Sequence, residues 1–129
     1  MIALDTNIFI YVLNGHERFG PLSAKLFKDK EPKTASRLVF AEVLASPKLE
    51  DELLRSKTVS FLDELDVKWQ EINHDVLIEA ARLRRQQPRL RLIDALHIAS
   101  AIIAHAETFF SNDQDLQLLK ISELNIRSL

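Results

Sequence analysis

The chain has 129 residues, 47% of them hydrophobic and 28% charged, and a formal net charge of -2. That length supports one domain with a core of its own, residues 1–129, and the composition is that of a globular chain rather than a disordered one. The absence of cysteine excludes disulfides, thiolate metal sites and cysteine nucleophiles and is compatible with a reducing cytoplasm, while the charge balance makes no case for a nucleic-acid partner.

In chain order, Ile2-Ala3-Leu4 is a short apolar run that reads as a buried strand, followed by the polar turn Asp5-Thr6-Asn7 and an apolar helix Ile8 to Leu13. Asp5 sits where a signal peptide would be apolar, no basic residues precede it, and the N-terminus reads as the start of the fold. No apolar run approaches the ~20 residues needed to span a bilayer, so no membrane partner is expected. Asn14-Gly15 ends the first helix, because Gly takes the left-handed conformation that a C-terminal cap requires. Pro21 opens a second helix, Leu22 to Lys30, and Glu31-Pro32-Lys33 breaks it. Thr34-Ala35-Ser36 is too short to assign as a strand. From Arg37 to Ala45 the pattern is helical and mostly apolar, with Glu42 inside it. A carboxylate among apolar positions is costly unless it is paired, protonated or bound to a metal, which makes Glu42 a better functional lead than any surface acid.

Pro47 interrupts, and Leu49 to Leu65 reads as one long amphipathic helix whose acids, Asp51 among them, face solvent. Val67 to Ile72 alternates apolar and polar as a strand does. Asn73 caps a helix from Asp75 to Gln87, which Pro88 ends. Arg82, Arg84, Arg85, Arg89 and Arg91 crowd this region. Such a run is either a solvated face or, beside an acidic pocket, a holder of phosphates, for which Arg85, Arg89 and Arg91 are the candidates. Leu92 to Ala104 is then apolar almost all the way round, the mark of a helix buried at the centre of the domain. Asp94 lies in its first turn, either as a cap and partner of the helix dipole or as an acid held at the mouth of a pocket. Thr108 to Ser111 is a short strand ending at Asn112-Asp113, Leu116 to Leu119 a helical turn, and Ile126 to Leu129 a last strand.

Strands alternating with helices predict an α/β fold, one parallel sheet covered on both faces by helices. Ligands in such sheets bind at the carboxyl ends of the strands, near the point where strand order reverses. Asp5 and Asp113 are placed at strand ends, and Asp94 and Glu42 reach the same rim. Four acids from four segments exceed what capping accounts for. Carboxylates gathered in this way repel one another unless a cation joins them, and Mg²⁺ or Mn²⁺ accepts oxygen ligands and bridges them to phosphates. Two such ions can activate water and stabilise the leaving oxygen of a phosphodiester with no nucleophilic side chain. With no cysteine and four histidines, zinc fits less well.

Asp5-Thr6-Asn7 after a short strand, Glu42, Asp94-Ala95-Leu96-His97-Ile98-Ala99 and Ser111-Asn112-Asp113, in this order and in a chain of this length, resemble the PIN domain in the form found in VapC-type toxins of toxin–antitoxin pairs. The resemblance covers nearly the whole chain. It implies a three-layer α/β sandwich with a parallel sheet, a Mg²⁺- or Mn²⁺-dependent endoribonuclease, a protein antitoxin and a homodimer. It also implies that Asp5, Glu42, Asp94 and Asp113 are catalytic metal ligands and that Thr6, Asn7 and Ser111 support them. Asp115 reads as structural, and its neighbour Leu116 stands where relatives often carry an aromatic residue. His97 reads as a polar residue packed beside the core and stays outside the catalytic set. Three other readings remain: a PIN nuclease of RNA processing without an antitoxin, a receiver-like signalling domain, and a binding domain with an inert pocket. A receiver needs a second acid after the first strand, where this chain has Thr6, and a lysine after the last, where it has only Arg127.

Overall fold

The computed structural model describes residues 1–129. Five strands form one sheet: β1 (Ile2–Leu4), β2 (Lys33–Ser36), β3 (Lys68–Gln70), β4 (Thr108–Phe110) and β5 (Asn125–Arg127). All neighbours are parallel, in the order β3-β2-β1-β4-β5. The chain first builds outward from β1 through β2 to β3, then returns to the other side of β1. Strand order therefore reverses between β1 and β4, where the register pairs Leu4 with Phe110. A receiver-like fold has the order 2-1-3-4-5, so the sheet excludes that reading.

Seven α-helices cover the sheet: α1 (Thr6–Leu13), α2 (Phe19–Lys28), α3 (Leu38–Leu44), α4 (Glu52–Glu64), α5 (His74–Gln86), α6 (Leu92–Ile103) and α7 (Gln114–Gln117). Alternation along the strands divides the core in two. Ile2 and Leu4 of β1 face α1, α3 and α4, where Ile8, Phe9, Val39 and Leu62 are buried. Ala3 and Phe109 face the opposite way, toward Val76, Ala80 and Leu83 of α5 and Ile98 and Ala99 of α6. Each large side chain buried in either half contributes about 1.5–3 kcal/mol. The two cores hold β1 and β4 firmly on both sides, which fixes the strand ends. No helix is long and apolar enough to cross a membrane.

Several local expectations shift, each for a physical reason. α1 begins at Thr6 because Asp5 alone caps it, accepting from the Thr6 N–H at 2.8 Å; the expected turn collapses into a cap. Gly15 takes the left-handed backbone, φ 59°, as expected after the last turn. α2 starts at Phe19, ahead of Pro21, which sits in the first turn where a missing N–H costs nothing. The Lys33–Ser36 run is a fully buried strand, too short for periodicity to reveal. The single helix expected over Leu49 to Leu65 is broken into a 3-10 turn, Pro47–Glu50, and α4. Asp51 causes the break: it is the N-cap of α4, its Oδ1 accepting from Leu54 N–H at 2.8 Å. α7 likewise starts at Gln114, earlier than the expected Leu116, because Asp113 caps it. α6 buries seven successive residues, Ala95 to Ala101, but its first turn leaves Leu92 and Ile93 exposed. Leu92 and Ile93 are thus the exception to a helix expected to be covered all round.

Candidate functional site

The carboxyl ends of β1 and β4 meet at the reversal of strand order, where Asp5 N–H donates to Phe110 O at 3.0 Å. Asp5 is the first residue beyond β1 and is 8% exposed. Its Oδ1 takes the Thr6 N–H and its Oδ2 takes the Ser111 hydroxyl at 2.7 Å. Burial pushes the Asp5 carboxyl above its ordinary value of 3.8; His97 and the Ser111 hydroxyl act against that rise. No Lys or Arg is paired with it. A carboxylate held out of water with two donors and no cation has room for a positive partner.

Glu42, on α3, comes in from the half of the core that Ile2 and Leu4 face. Its side chain is 38% exposed, yet one oxygen is tightly engaged. Oε1 accepts the Thr6 hydroxyl at 2.6 Å and is also hydrogen-bonded to His97 Nε2. Thr6 Oγ1 and His97 Nε2 themselves lie 3.3 Å apart. Glu42 Oε2 makes no hydrogen bond within the chain. The hydrogen bond from His97 is the leading reason that the Glu42 carboxyl stays below its ordinary 4.5, against the opposing pull of burial.

Asp94 and Asp113 form the other side. Asp94 does not cap α6: Arg91 occupies that position without a side-chain capping bond, and Asp94 is the third residue of the helix. Its Oδ2 takes Arg91 Nε at 2.8 Å. Arg91 Nη2 stands 3.7 Å from Asp113 Oδ2, and Asp94 is the first cause of the further rise in the already high guanidinium pKa of Arg91. Asp113 follows β4, caps α7 by accepting from Asp115 N–H at 2.9 Å, and donates its own N–H to Ser111 Oγ at 3.1 Å.

All four acids thus belong to one polar network that runs Glu42, Thr6, Asp5, Ser111, Asp113, Arg91, Asp94. Capping and convergence are not alternatives here, since Asp5 and Asp113 do both. No three of the acidic or histidine side chains are gathered about one point as a metal ion would require; Arg91 draws Asp94 and Asp113 to itself. The donor set is nonetheless all oxygen, with Glu42 Oε2 unengaged, and that suits a hard divalent cation.

Of the other expected residues, Thr6 and Ser111 are buried links of the network, whereas Asn7 is exposed and its side chain takes no part in it. Asp115 is exposed and lines a cleft of about 660 Å³ with Arg89, Arg91 and Asp94. Arg85 lies apart from that cleft, beside an apolar groove of about 450 Å³ that includes Leu77, Pro88 and Leu92. The arginines therefore do not form one patch: only Arg89 and Arg91 share the cleft of Asp94.

His97 is the residue that sequence reasoning left out. The available signal was its position three residues after Asp94, which puts both on one side of α6. Its partner Glu42 is 55 residues away, and nothing local reveals that contact.

The family model for the PIN domain matches residues 2–122. A toxin–antitoxin complex from Klebsiella pneumoniae contains a chain 20% identical to this one, covering 96% of this chain and 95% of its own, with a TM-score of 0.75. VapBC2 from Rickettsia felis, solved on a DNA fragment from its promoter, gives 24% identity, 100% and 99% coverage, and a TM-score of 0.74. DNA-bound VapBC from Salmonella typhimurium gives 15%, 98% and 96%, with 0.68. Compared with curated proteins, the sequence has no significant match. The structural likenesses establish the fold, and the family match extends over nearly the whole length: this chain belongs to the PIN-domain family of nucleases.

Proposed function

We propose that this protein is a metal-dependent endoribonuclease that hydrolyses RNA phosphodiester bonds and acts as the toxin of a toxin–antitoxin pair. The observation that carries the reading is the network itself: four carboxylates from four segments, linked through Thr6, Ser111 and Arg91 at the strand-order reversal. Glu42 through Oε2, Asp5, Asp94 and Asp113 would hold Mg²⁺ or Mn²⁺. The chemistry such an ion supplies when bound is the activation of water and the neutralisation of phosphate charge. Thr6 and Ser111 keep Glu42 and Asp5 in place, and their burial excludes bulk water from that side. Arg89, in the same cleft, is available to an RNA phosphate, and Arg85, exposed on α5 outside the cleft, is a second candidate contact.

A protein antitoxin and a homodimer complete the proposal. The antitoxin rests on the fold shared with chains from toxin–antitoxin complexes. A PIN nuclease of RNA processing would carry the same acids and differs in lacking an antitoxin. One observation favours a second reading: Arg91 pairs with Asp94 and stands 3.7 Å from Asp113, as it would in an inert pocket kept for binding.

The deciding experiment incubates the purified chain and Asp94→Asn with a structured RNA pool in Mg²⁺, in Mn²⁺ and in EDTA. Cutting that needs the metal and is lost in the variant supports the nuclease. A folded, partner-free wild-type chain that cuts nothing in either metal overturns it in favour of the binding domain.

A further inference from the structure

Three helices meet at one oxygen atom. Glu42 Oε1 on α3 receives the Thr6 hydroxyl from α1 and His97 Nε2 from α6, while Oε2 receives neither. A free glutamate turns about three side-chain bonds, so two donors on the same oxygen select one orientation out of many. The rest of the imidazole explains how that donor is kept in place. The His97 side chain is 2% exposed, and Nδ1 is sealed from solvent with no hydrogen-bond partner. A hydrogen on Nδ1 would be stranded, whereas a bare nitrogen there leaves only a lone pair unmet. The ring hydrogen therefore belongs on Nε2, directed at Glu42.

We infer that His97 is the positioning residue of this site: by donating Nε2–H to Glu42 Oε1 it reserves Oε2 as the one oxygen that Glu42 offers to a divalent cation. The inference rests on the metal-dependent reading above and assigns a task to a residue that reading does not use. Its chemistry is that of an outer group that orients a ligand without touching the ion. It also gives the Thr6 hydroxyl a role, since the two donors share the same oxygen and hold it from two sides.

The test pairs His97→Gln, whose amide keeps a donor near the place of Nε2, with His97→Leu, which fills space and donates nothing. Mn²⁺ affinity is read on RNA-free protein from the electron paramagnetic resonance signal of the free ion, and kcat and KM are measured on a cleaved RNA. Affinity should stay within about 3-fold in His97→Gln and fall roughly 10–100-fold in His97→Leu. In His97→Leu kcat should fall while KM for RNA holds. Wild-type affinity in His97→Leu, or equal losses in both variants, would reduce His97 to packing and overturn the inference alone. A wild-type chain that takes up no Mn²⁺ brings down the metal reading itself, and this inference with it. Should His97→Leu fail to melt cooperatively, nitrogen NMR of the wild-type imidazole decides: hydrogen on Nε2 with Nδ1 bare supports the assignment, and hydrogen on Nδ1 with Nε2 bare overturns it.

Discussion

The two sides of the acid network are held by opposite means. Glu42 and Asp5 are fixed by hydrogen bonds from the Thr6 hydroxyl and N–H, His97 and the Ser111 hydroxyl, all buried. Asp94 is held by a full positive charge on Arg91, a side chain 74% exposed that also stands 3.7 Å from the α7-capping Asp113. Buried hydrogen bonds are short-ranged and indifferent to salt; an exposed guanidinium is screened and free to swing away. One side is therefore part of the folded framework, and the other answers to whatever cation approaches from solution.

The largest expected effect tests that division directly. Asp94→Asn and Glu42→Ala should each lower cleavage roughly 100-fold or more, since each removes a proposed ligand. Their stabilities should differ. Asp94→Asn gives up only an ion pair to the exposed Arg91 and should melt close to wild type. Glu42→Ala strands the buried His97 donor and should lose about 2 kcal/mol, read by urea unfolding. Equal stability losses would erase the distinction.

Ser111→Ala comes next. It removes a hydroxyl donated to a buried carboxylate, and about 2 kcal/mol should go at neutral pH. Because burial raises Asp5 above 3.8, its charged form weighs on the fold increasingly as pH climbs through the folded value and not at all well below 3.8. The Ser111→Ala loss should therefore shrink in acid, and a loss independent of pH would show that Asp5 does not ionise there. Glu42 runs the other way. Its carboxyl is held below 4.5, so its support is complete above that value and drains as pH falls through the folded one. Glu42→Gln should flatten the acid limb of the melting curve, and an unchanged limb would break the assignment.

The smallest effect concerns the arginines. Arg89 has no acidic partner within the chain, whereas Arg91 is engaged by Asp94 and Asp113. Arg89→Ala should reduce the dependence of RNA affinity on log salt by about 1, and Arg91→Gln by less. A full unit from Arg91→Gln would make Arg91 a phosphate contact that leaves its acids when RNA arrives.

Much of this was legible in the sequence because it was local. Strand followed by Asp, the apolar run of α6, Asn73 as a cap and Gly15 as a terminator are patterns within a few residues. The parallel sheet followed from alternation of elements, and the family from motif order. What stayed hidden was non-local. β2 is buried on all four residues yet too brief to show a period. Arg91 reads as one of a row of surface charges, and only the fold sets it between Asp94 and Asp113. His97 reads as core packing until α3 brings Glu42 to it. The α4 break hangs on one cap, Asp51, among several exposed acids.

The register of the central strand has a consequence for the moment of synthesis. Asp5 receives its Ser111 hydroxyl across 106 residues of chain, and β1 waits as long for β4 beside it. Contacts that distant form late. A growing polypeptide that has released β1, β2 and β3 from the ribosome carries Asp5 and Glu42 but has not yet made Asp113. The proposed active site thus stays one acid short until β4 and the residues after it have emerged.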